Sequence, residues 1–167
     1  TCPMPRLRYA RASDEPFLWD MLYFAAHMNK DGSGSSDDAK GDGLLAKYVD
    51  GWGRADDLGV IAEDESGQPV GAAWLRAFSI AERGYPLVPE DFPEIAIAVE
   101  PGNTGGGLGG ALLGALLDKA RDHHPGVVLS VREDNPAIRL YERFGFDVVD
   151  EITNRVGGRS FVMVHLF

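Results

Sequence analysis

The stretch GNTGGGLGG, residues 102–110, has glycine at six of its nine positions. The apolar run IAIAV (95–99) precedes it and predicts a buried strand, whereas ALLGALLDKA (111–120) follows it and predicts a helix. Glycine loses more conformational freedom on folding than any other residue, so this density is costly in an ordered turn. We therefore expect the turn to hold a group that must come close to the backbone.

Two known glycine motifs explain this turn poorly. A P-loop requires a Lys followed by Ser or Thr after its last glycine, and neither follows here. Gly105, Gly107 and Gly110 spell the G-x-G-x-x-G of dinucleotide-binding folds, but the acid that should end the next strand comes only at Glu133. A nucleotide-binding oxidoreductase nevertheless stays open as an alternative.

The order strand, glycine turn, helix predicts an anion site for a physical reason. The first N–H groups of a helix have no intrahelical acceptor, and the helix dipole places partial positive charge at the same end. Bare glycines would let a bulky diphosphate approach several of these amides at once. The alternative is a flexible turn that binds nothing.

The rest of the chain predicts an α/β (α+β) fold. A hairpin is expected over 59–78, a central strand over 126–131, and a helix that Asn135 caps and Gly145 ends. Two further strands, FDVVDEI and SFVMVHL, flank the turn RVGGR. We predict a single domain over 1–167, with a mixed central sheet of about six to seven strands flanked by about four helices.

Composition limits the partners. The formal net charge is -10 and the 16 Lys and Arg residues are scattered, so nucleic acid is not an expected partner. No apolar stretch reaches membrane-spanning length, so we expect no membrane partner. Cys2 is the only cysteine, which fits the reducing cytoplasm. A homodimer is compatible with all of this.

Two motifs resemble those of the GNAT superfamily of acetyl-CoA-dependent N-acetyltransferases. AVEPGNTGGGLGGALL (98–113) is similar to V-x-P-x-x-R/Q-G-x-G-x-G/A before a helix, and LSVREDNPAIRLYERFGFDVV (129–149) is similar to N-x-x-A-x-x-L-Y-x-x-x-G-F. The matching residues are Val99, Pro101, Gly105, Gly107 and Gly109 in the first motif and Leu140, Tyr141, Gly145 and Phe146 in the second.

The resemblance implies transfer of an acetyl group from acetyl-CoA to a primary amine in a ternary complex. It implies that the glycine-turn amides hold the diphosphate and that the preceding strand bonds the pantetheine arm. The residues assigned to the cofactor are Ile97, Ala98, Val99, Thr104, Gly105, Gly106, Gly107, Leu108, Gly109, Gly110 and Asn135. Thr104 stands where the family has Arg or Gln, so weaker cofactor binding is expected. Either Asp134 or Asn135 could take the family's Asn role, and we favour Asn135.

The resemblance also implies that Tyr141 protonates the departing thiolate; the alternative is a core tyrosine. For the base, strand alternation places Glu94 on the same face as Ala96 and Ala98, and the small side chains would leave space for a ligand. Glu94 could then draw the proton of the amine directly or through water. The alternative is a solvated acid at the strand end.

The acceptor is predicted only as a small-molecule or peptide amine. Trp52, Phe78, Tyr85 and Phe92 could line its pocket or simply be packed. No metal is predicted, because the histidines, His165 among them, lack companions at ligand spacing. A catalytically silent acyl-CoA-binding module is a further alternative.

Overall fold

The computed structural model describes residues 6–26, 36–79, 85, 87–104, 107–154 and 156–167. Its strands are β1 (Arg6–Tyr9), β2 (Leu58–Glu63), β3 (Pro69–Arg76), β4 (Glu94–Val99), β5 (Gly126–Arg132), β6 (Asp147–Thr153) and β7 (Arg159–Leu166). Its helices are α1 (Glu15–Ala25), α2 (Ser36–Lys40), α3 (Gly43–Ala46), α4 (Leu108–Ala120) and α5 (Ile138–Arg143), and a 3-10 turn at Ala12–Asp14 precedes α1.

The strands form a seven-stranded sheet in the order β1-β2-β3-β4-β5-β7-β6. β4 and β5 are parallel, whereas β1–β2, β2–β3, β5–β7 and β7–β6 are antiparallel. The predicted mixed sheet is therefore confirmed. The predicted hairpin is confirmed as well: in its turn, the Asp64 carboxylate accepts hydrogen bonds from the N–H groups of Ser66 (2.8 Å) and Gln68 (3.0 Å).

The chain contains two compact units. Unit 1 comprises Thr1–Arg76 and Ala96–Leu117, and unit 2 comprises Ala77–Ile95 and Asp118–Phe167. β4 therefore begins in unit 2 and ends in unit 1.

The core of unit 1 lies between α1 and the strands β2 and β3. Leu18, Met21 and Leu22 recur at helical spacing and are fully buried or nearly so, which gives α1 one apolar face. They cluster with Ile61 of β2 and Trp74 of β3. Both strands are buried at consecutive positions, and their sequences are accordingly continuous apolar runs rather than alternating patterns.

A buried ion pair ties the end of β3 to the segment after α3. Arg76, which is 1% exposed, donates to both carboxylate oxygens of Asp57 (3.0 and 3.1 Å) and to the carbonyls of Lys47 (2.9 Å) and Asp50 (2.7 Å). Its guanidinium also lies 5.7 Å from the centre of the Trp52 ring. Because four of these contacts are hydrogen bonds to acceptors, the buried cation is well compensated.

Unit 2 is built on the antiparallel ladder of β5, β7 and β6. Its apolar cluster contains Val128 of β5 and Val162 of β7, with Tyr85, Val88 and Phe92 from the connection before β4. β4 begins beside β5: Glu94 is the register partner of Val128, and the N–H of Val128 donates to the carbonyl of Pro93 (3.0 Å).

In the part of the chain that the structure describes, no helix has the length and apolar character needed to cross a membrane.

Candidate active site

The glycine turn leaves β4 along a defined path in unit 1. The N–H of Glu100 donates to the carbonyl of Val70 in β3 (2.9 Å), and the N–H of Asn103 donates to that of Glu100 (3.0 Å). Gly102 adopts φ +96°, in the region that favours glycine. The exposed Thr104 follows, while Gly105 and Gly106 lie outside the described residues, so their predicted role stays a prediction.

Gly107 joins the turn to α4. It adopts φ +78°, and a Cβ built on it would have no heavy atom within 4 Å. The N–H of Ala111 donates to the carbonyl of Gly107 (3.1 Å), which is the first bond of the helix. The N–H groups of Leu108, Gly109 and Gly110 come before this bond and therefore have no acceptor within the helix. The predicted cradle thus has open space beside it and amide donors at a helix N-terminus.

Close packing brings α4 to this position. Leu108 is 7% exposed, and Leu112, Leu113 and Leu116 are completely buried. A Cβ on Gly71 of β3 would lie 3.1 Å from Cδ1 of Leu112, which is tighter than ordinary contact. Gly71 was not among the residues singled out from the sequence, although a glycine inside a strand often indicates that another part of the chain lies close to the backbone there. Its missing side chain lets α4 lie close to the sheet.

The alanine face of β4 is covered. Ala98 is part of the unit 1 core, and Ala96 packs against the same core. The expectation that this face leaves space for a ligand is therefore wrong at Ala98, because strand alternation separates two faces without showing what covers each. The assignment of Ile97, Ala98 and Val99 to the cofactor concerns their main-chain groups and stays a prediction.

Glu94 is buried in unit 2. It is 2% exposed, so the alternative of a solvated strand-end acid is wrong. The hydroxyl of Tyr85, itself 6% exposed, donates to Oε2 of Glu94 (3.3 Å). A buried carboxylate requires such donors, because its desolvation is costly without them.

Tyr141 lies on α5 and is 6% exposed. Burial raises the pKa of its phenol to about 12, because desolvation disfavours the charged form. The group therefore keeps its proton well into the alkaline range. The carbonyl of Tyr141 accepts from the N–H groups of Phe144 (3.1 Å) and Phe146 (3.0 Å) where the helix ends, and Gly145 adopts φ +88° there, as its predicted role as a helix stop requires.

Asn135 lies in the turn before α5. Its Oδ1 accepts a hydrogen bond from the N–H of Ala137 (2.9 Å), so the side chain caps this turn, while α5 itself begins at Ile138. The predicted cap is thus shifted to the turn that leads into the helix. The Asn135 assignment to the cofactor stays a prediction.

The four aromatic residues considered for the acceptor pocket are all buried, and three of them are divided between two apolar clusters. Trp52 packs in the unit 1 core and donates its indole N–H to the carbonyl of Arg11 (3.1 Å), whereas Tyr85 and Phe92 pack in the unit 2 cluster. Phe78 is 3% exposed. No group of three His, Cys, Asp or Glu residues within the described ranges could hold a metal ion.

His165 is a residue whose surroundings the sequence did not indicate. It looked solitary, yet its Nδ1 lies 3.1 Å from the carbonyl oxygen of Gly145, next to the end of α5. Strand alternation places His165 on the same face of β7 as Phe161 and Met163. That pattern was the one signal in the sequence that His165 would pack against other residues.

Comparison with known proteins identifies the family to which the chain belongs. The sequence model described as the acetyltransferase (GNAT) family matches residues 19–146. The chain is similar to the mycothiol acetyltransferase of Brachybacterium faecium, with 37% identity over 108 residues. That match covers 63% of this chain and only 30% of the length of the relative.

Two solved structures with acetyl-CoA are similar in fold. The acetyltransferase yncA of Salmonella typhimurium, solved with its cofactor acetyl-CoA, superposes with a TM-score of 0.70 at 22% identity and covers 98% of this chain and 94% of its own. The phosphinothricin acetyltransferase of Sinorhizobium meliloti, in complex with acetyl-CoA, gives a TM-score of 0.68 at 19% identity, with 99% and 89% covered. Because the family match extends over more than half of its length, the chain belongs to the acetyltransferase (GNAT) family.

Proposed function

We propose that this protein is an N-acetyltransferase that moves the acetyl group of acetyl-CoA directly to a primary amine in a ternary complex. The observation that carries the proposal is the junction of turn and helix at Gly107, with its positive φ and the open space where a side chain would lie. Family membership supports acetyl-CoA rather than a nicotinamide dinucleotide as the ligand of this junction, and we therefore prefer the acetyltransferase to the oxidoreductase alternative.

The residues at the junction fit a diphosphate. The N–H groups of Leu108, Gly109 and Gly110 would donate to its oxygens, and the helix dipole favours the negative charge. Gly105 and Gly106 are proposed to add amides ahead of Gly107. The main-chain groups of Ile97, Ala98 and Val99 are proposed to bond the pantetheine arm as a neighbouring strand would.

Bound acetyl-CoA supplies an acetyl thioester, whose carbonyl carbon forms the new C–N bond as its C–S bond breaks. Tyr141 is proposed to give its phenolic proton to the sulfur that leaves. Its raised pKa, to about 12, supports this role because the phenol stays protonated at neutral pH. The side chain is also largely shielded from solvent, since Tyr141 is 6% exposed.

Glu94 is proposed to accept the proton of the attacking amine, through a water molecule where the amine does not reach it. Its burial and its hydrogen bond from Tyr85 support this role, since both hold the carboxylate in one place. No metal enters this scheme.

Several expectations accompany the proposal. The acceptor is taken to be a small-molecule or peptide amine, and residues 1–167 are taken to form one N-acetyltransferase domain. The cytoplasmic location inferred from the lone Cys2 also stays a prediction, as does a homodimer.

The first test is ligand-induced stabilisation. Millimolar acetyl-CoA or CoA should raise the melting temperature, because a ligand that binds only the folded state stabilises it, whereas NAD⁺ and NADPH should not. Stabilisation by the dinucleotides alone would overturn the assignment of the turn.

The second test measures transfer. Release of the CoA thiol would be followed with four kinds of acceptor: spermidine, free amino acids, a peptide with an N-terminal alanine, and an aminoglycoside. Tyr141→Phe should lower kcat by about 10²–10⁴-fold while CoA binding persists. Absence of thiol release with every amine would favour the silent acyl-CoA-binding module, and an undiminished Tyr141→Phe enzyme would remove the acid role from Tyr141.

A further inference from the structure

The helix that carries Tyr141 depends on contacts at its two ends. α5 has six residues, and a helix this short is not stable in isolation. At its start, Asn135 Oδ1 accepts from the N–H of Ala137 (2.9 Å). At its end, the chain reverses at Gly145, and the N–H of Phe146 returns to the carbonyl of Tyr141 (3.0 Å). Whatever fixes Gly145 and Phe146 therefore also fixes the backbone of Tyr141.

His165 contacts this turn from β7. Its Nδ1 lies 3.1 Å from the carbonyl oxygen of Gly145. A carbonyl oxygen only accepts, so Nδ1 carries the hydrogen and donates it. A Cβ on Gly145 would lie 3.1 Å from the same Nδ1 and 3.2 Å from Cε1 of the ring. The turn and the imidazole therefore lie so close together that a side chain at position 145 would displace the ring by a few tenths of an ångström.

A second contact runs through Phe146. Its ring centre lies 5.4 Å from that of His165 and 6.0 Å from that of Tyr141, and Phe146 is 2% exposed. On the other side, the ring of Phe167 meets His165 edge-on at 5.2 Å. A continuous series of ring contacts thus leads from Phe167 through His165 and Phe146 to the ring of Tyr141.

We propose that His165 is a positioning residue for Tyr141, acting through its hydrogen bond to Gly145 and its contact with Phe146. The inference rests on the proposed function, because it assumes that Tyr141 is the general acid. A general acid must lie within hydrogen-bond reach of the atom it protonates, and a shift of about 1 Å can cost as much as 10²-fold in rate. The donor on His165 restricts the turn, and the turn restricts the direction of the phenol.

Two substitutions at position 165 separate the hydrogen bond from the ring contact. His165→Phe keeps a ring against Phe146 but removes the donor, and it should lower kcat by about 10-fold with the KM for acetyl-CoA changed less than about twofold. His165→Asn keeps an N–H near the position of Nδ1 and should retain most of the activity. His123→Phe, at an exposed position beyond the end of α4, is the control and should behave as the unmodified protein. Equal losses in His165→Phe and His165→Asn would overturn the role given to the hydrogen bond.

A double-mutant cycle distinguishes positioning from a general structural effect. Once Tyr141→Phe has removed the acid, nothing remains to be positioned, so adding His165→Phe should lower kcat no further. The assay uses the acceptor with the highest turnover among the amines tested above. If His165→Phe costs the same factor with and without Tyr141, the inference fails although the proposed function survives. If Tyr141→Phe itself is undiminished, the acid role fails first.

A readout without turnover tests the geometry directly. In the ligand-free protein, at a pH where imidazole is neutral, long-range ¹H–¹⁵N spectra of the histidine rings should show His165 with its hydrogen on Nδ1. A hydrogen on Nε2 would contradict the proposed donor.

Discussion

Gly107 allows a quantitative test of the cofactor site, because the chain offers a control with the same backbone conformation. Gly107 adopts φ +78° and Gly67, in the turn between β2 and β3, adopts φ +82°; a Cβ on either would have no heavy atom within 4 Å. An alanine at either position therefore meets only the backbone strain of the left-handed region. That strain costs about 1–2 kcal/mol per L-residue, offset in part by the reduced freedom of the unfolded chain.

Both variants should lose the same stability. A net cost of about 1 kcal/mol corresponds to a melting temperature lower by about 2–4 °C in a chain of this length. Their affinities for acetyl-CoA should differ. In Gly107→Ala the new methyl group lies where the diphosphate is proposed to approach, and the loss of one amide bond to a charged group costs about 1.5–3 kcal/mol, or about 10- to 150-fold in Kd. Gly67→Ala should bind acetyl-CoA as the unmodified protein does.

The assay is isothermal titration with acetyl-CoA and with CoA, alongside thermal unfolding of the three proteins without ligand. A Kd for Gly107→Ala within about twofold of that for Gly67→Ala would refute the reasoning. In that case the glycines would serve flexibility or packing, and the diphosphate would have to lie elsewhere.

Three other substitutions address separate parts of the molecule. Thr104→Arg restores the cation of the family pattern and should tighten CoA binding by about fivefold, or about 1 kcal/mol. This gain in affinity should fall as salt is added. An unchanged Kd in the titration would mean that the side chain at position 104 does not reach the cofactor. Glu94→Gln should lower kcat by about 10²–10⁴-fold and leave the Kd for CoA unchanged, whereas a rate within threefold would assign the base to water. Arg76→Met leaves the Asp57 carboxylate buried without its cation and should lower the free energy of unfolding in urea by about 3–5 kcal/mol. Adding Asp57→Asn should make that loss smaller. A loss below about 1 kcal/mol in Arg76→Met would show that the pair is solvated.

The parts of the fold that sequence predicted well are those whose signals are local. The hairpin was marked by two apolar runs around a turn, and the last helix by Asn135 before it and Gly145 after it. In both cases the residues that determine the backbone lie within a few positions of one another. The cap was shifted by a turn because a single Asn can bond the N–H of either a turn or a helix, and pattern does not distinguish the two.

The parts that sequence could not predict depend on partners far along the chain. Arg76 ends a strand and would ordinarily be a surface cation, but it is buried because Asp57 and two carbonyls from the segment after α3 surround it. Ala98 was expected to face a ligand, yet it packs in a core that residues from α1 and β3 complete. Alternation divides a strand into faces, and only tertiary structure shows what lies against each face.

The two proposed proton-transfer groups illustrate the same limit in chemical terms. A protonated phenol can be buried at modest cost, and the apolar neighbours of Tyr141 raise its pKa and thereby suit it to donate a proton. A carboxylate cannot be buried so simply, because it requires donors. For Glu94, one donor is the hydroxyl of Tyr85, which lies in the proline-containing segment before β4 rather than in either motif. The motif that carries Tyr141 thus includes part of the environment of the acid, such as Phe146, whereas the environment of the base depends on Tyr85, which lies outside both motifs. We therefore expect Tyr85→Phe, which removes that donor without changing the ring, to alter turnover more than Phe92→Leu in the same cluster.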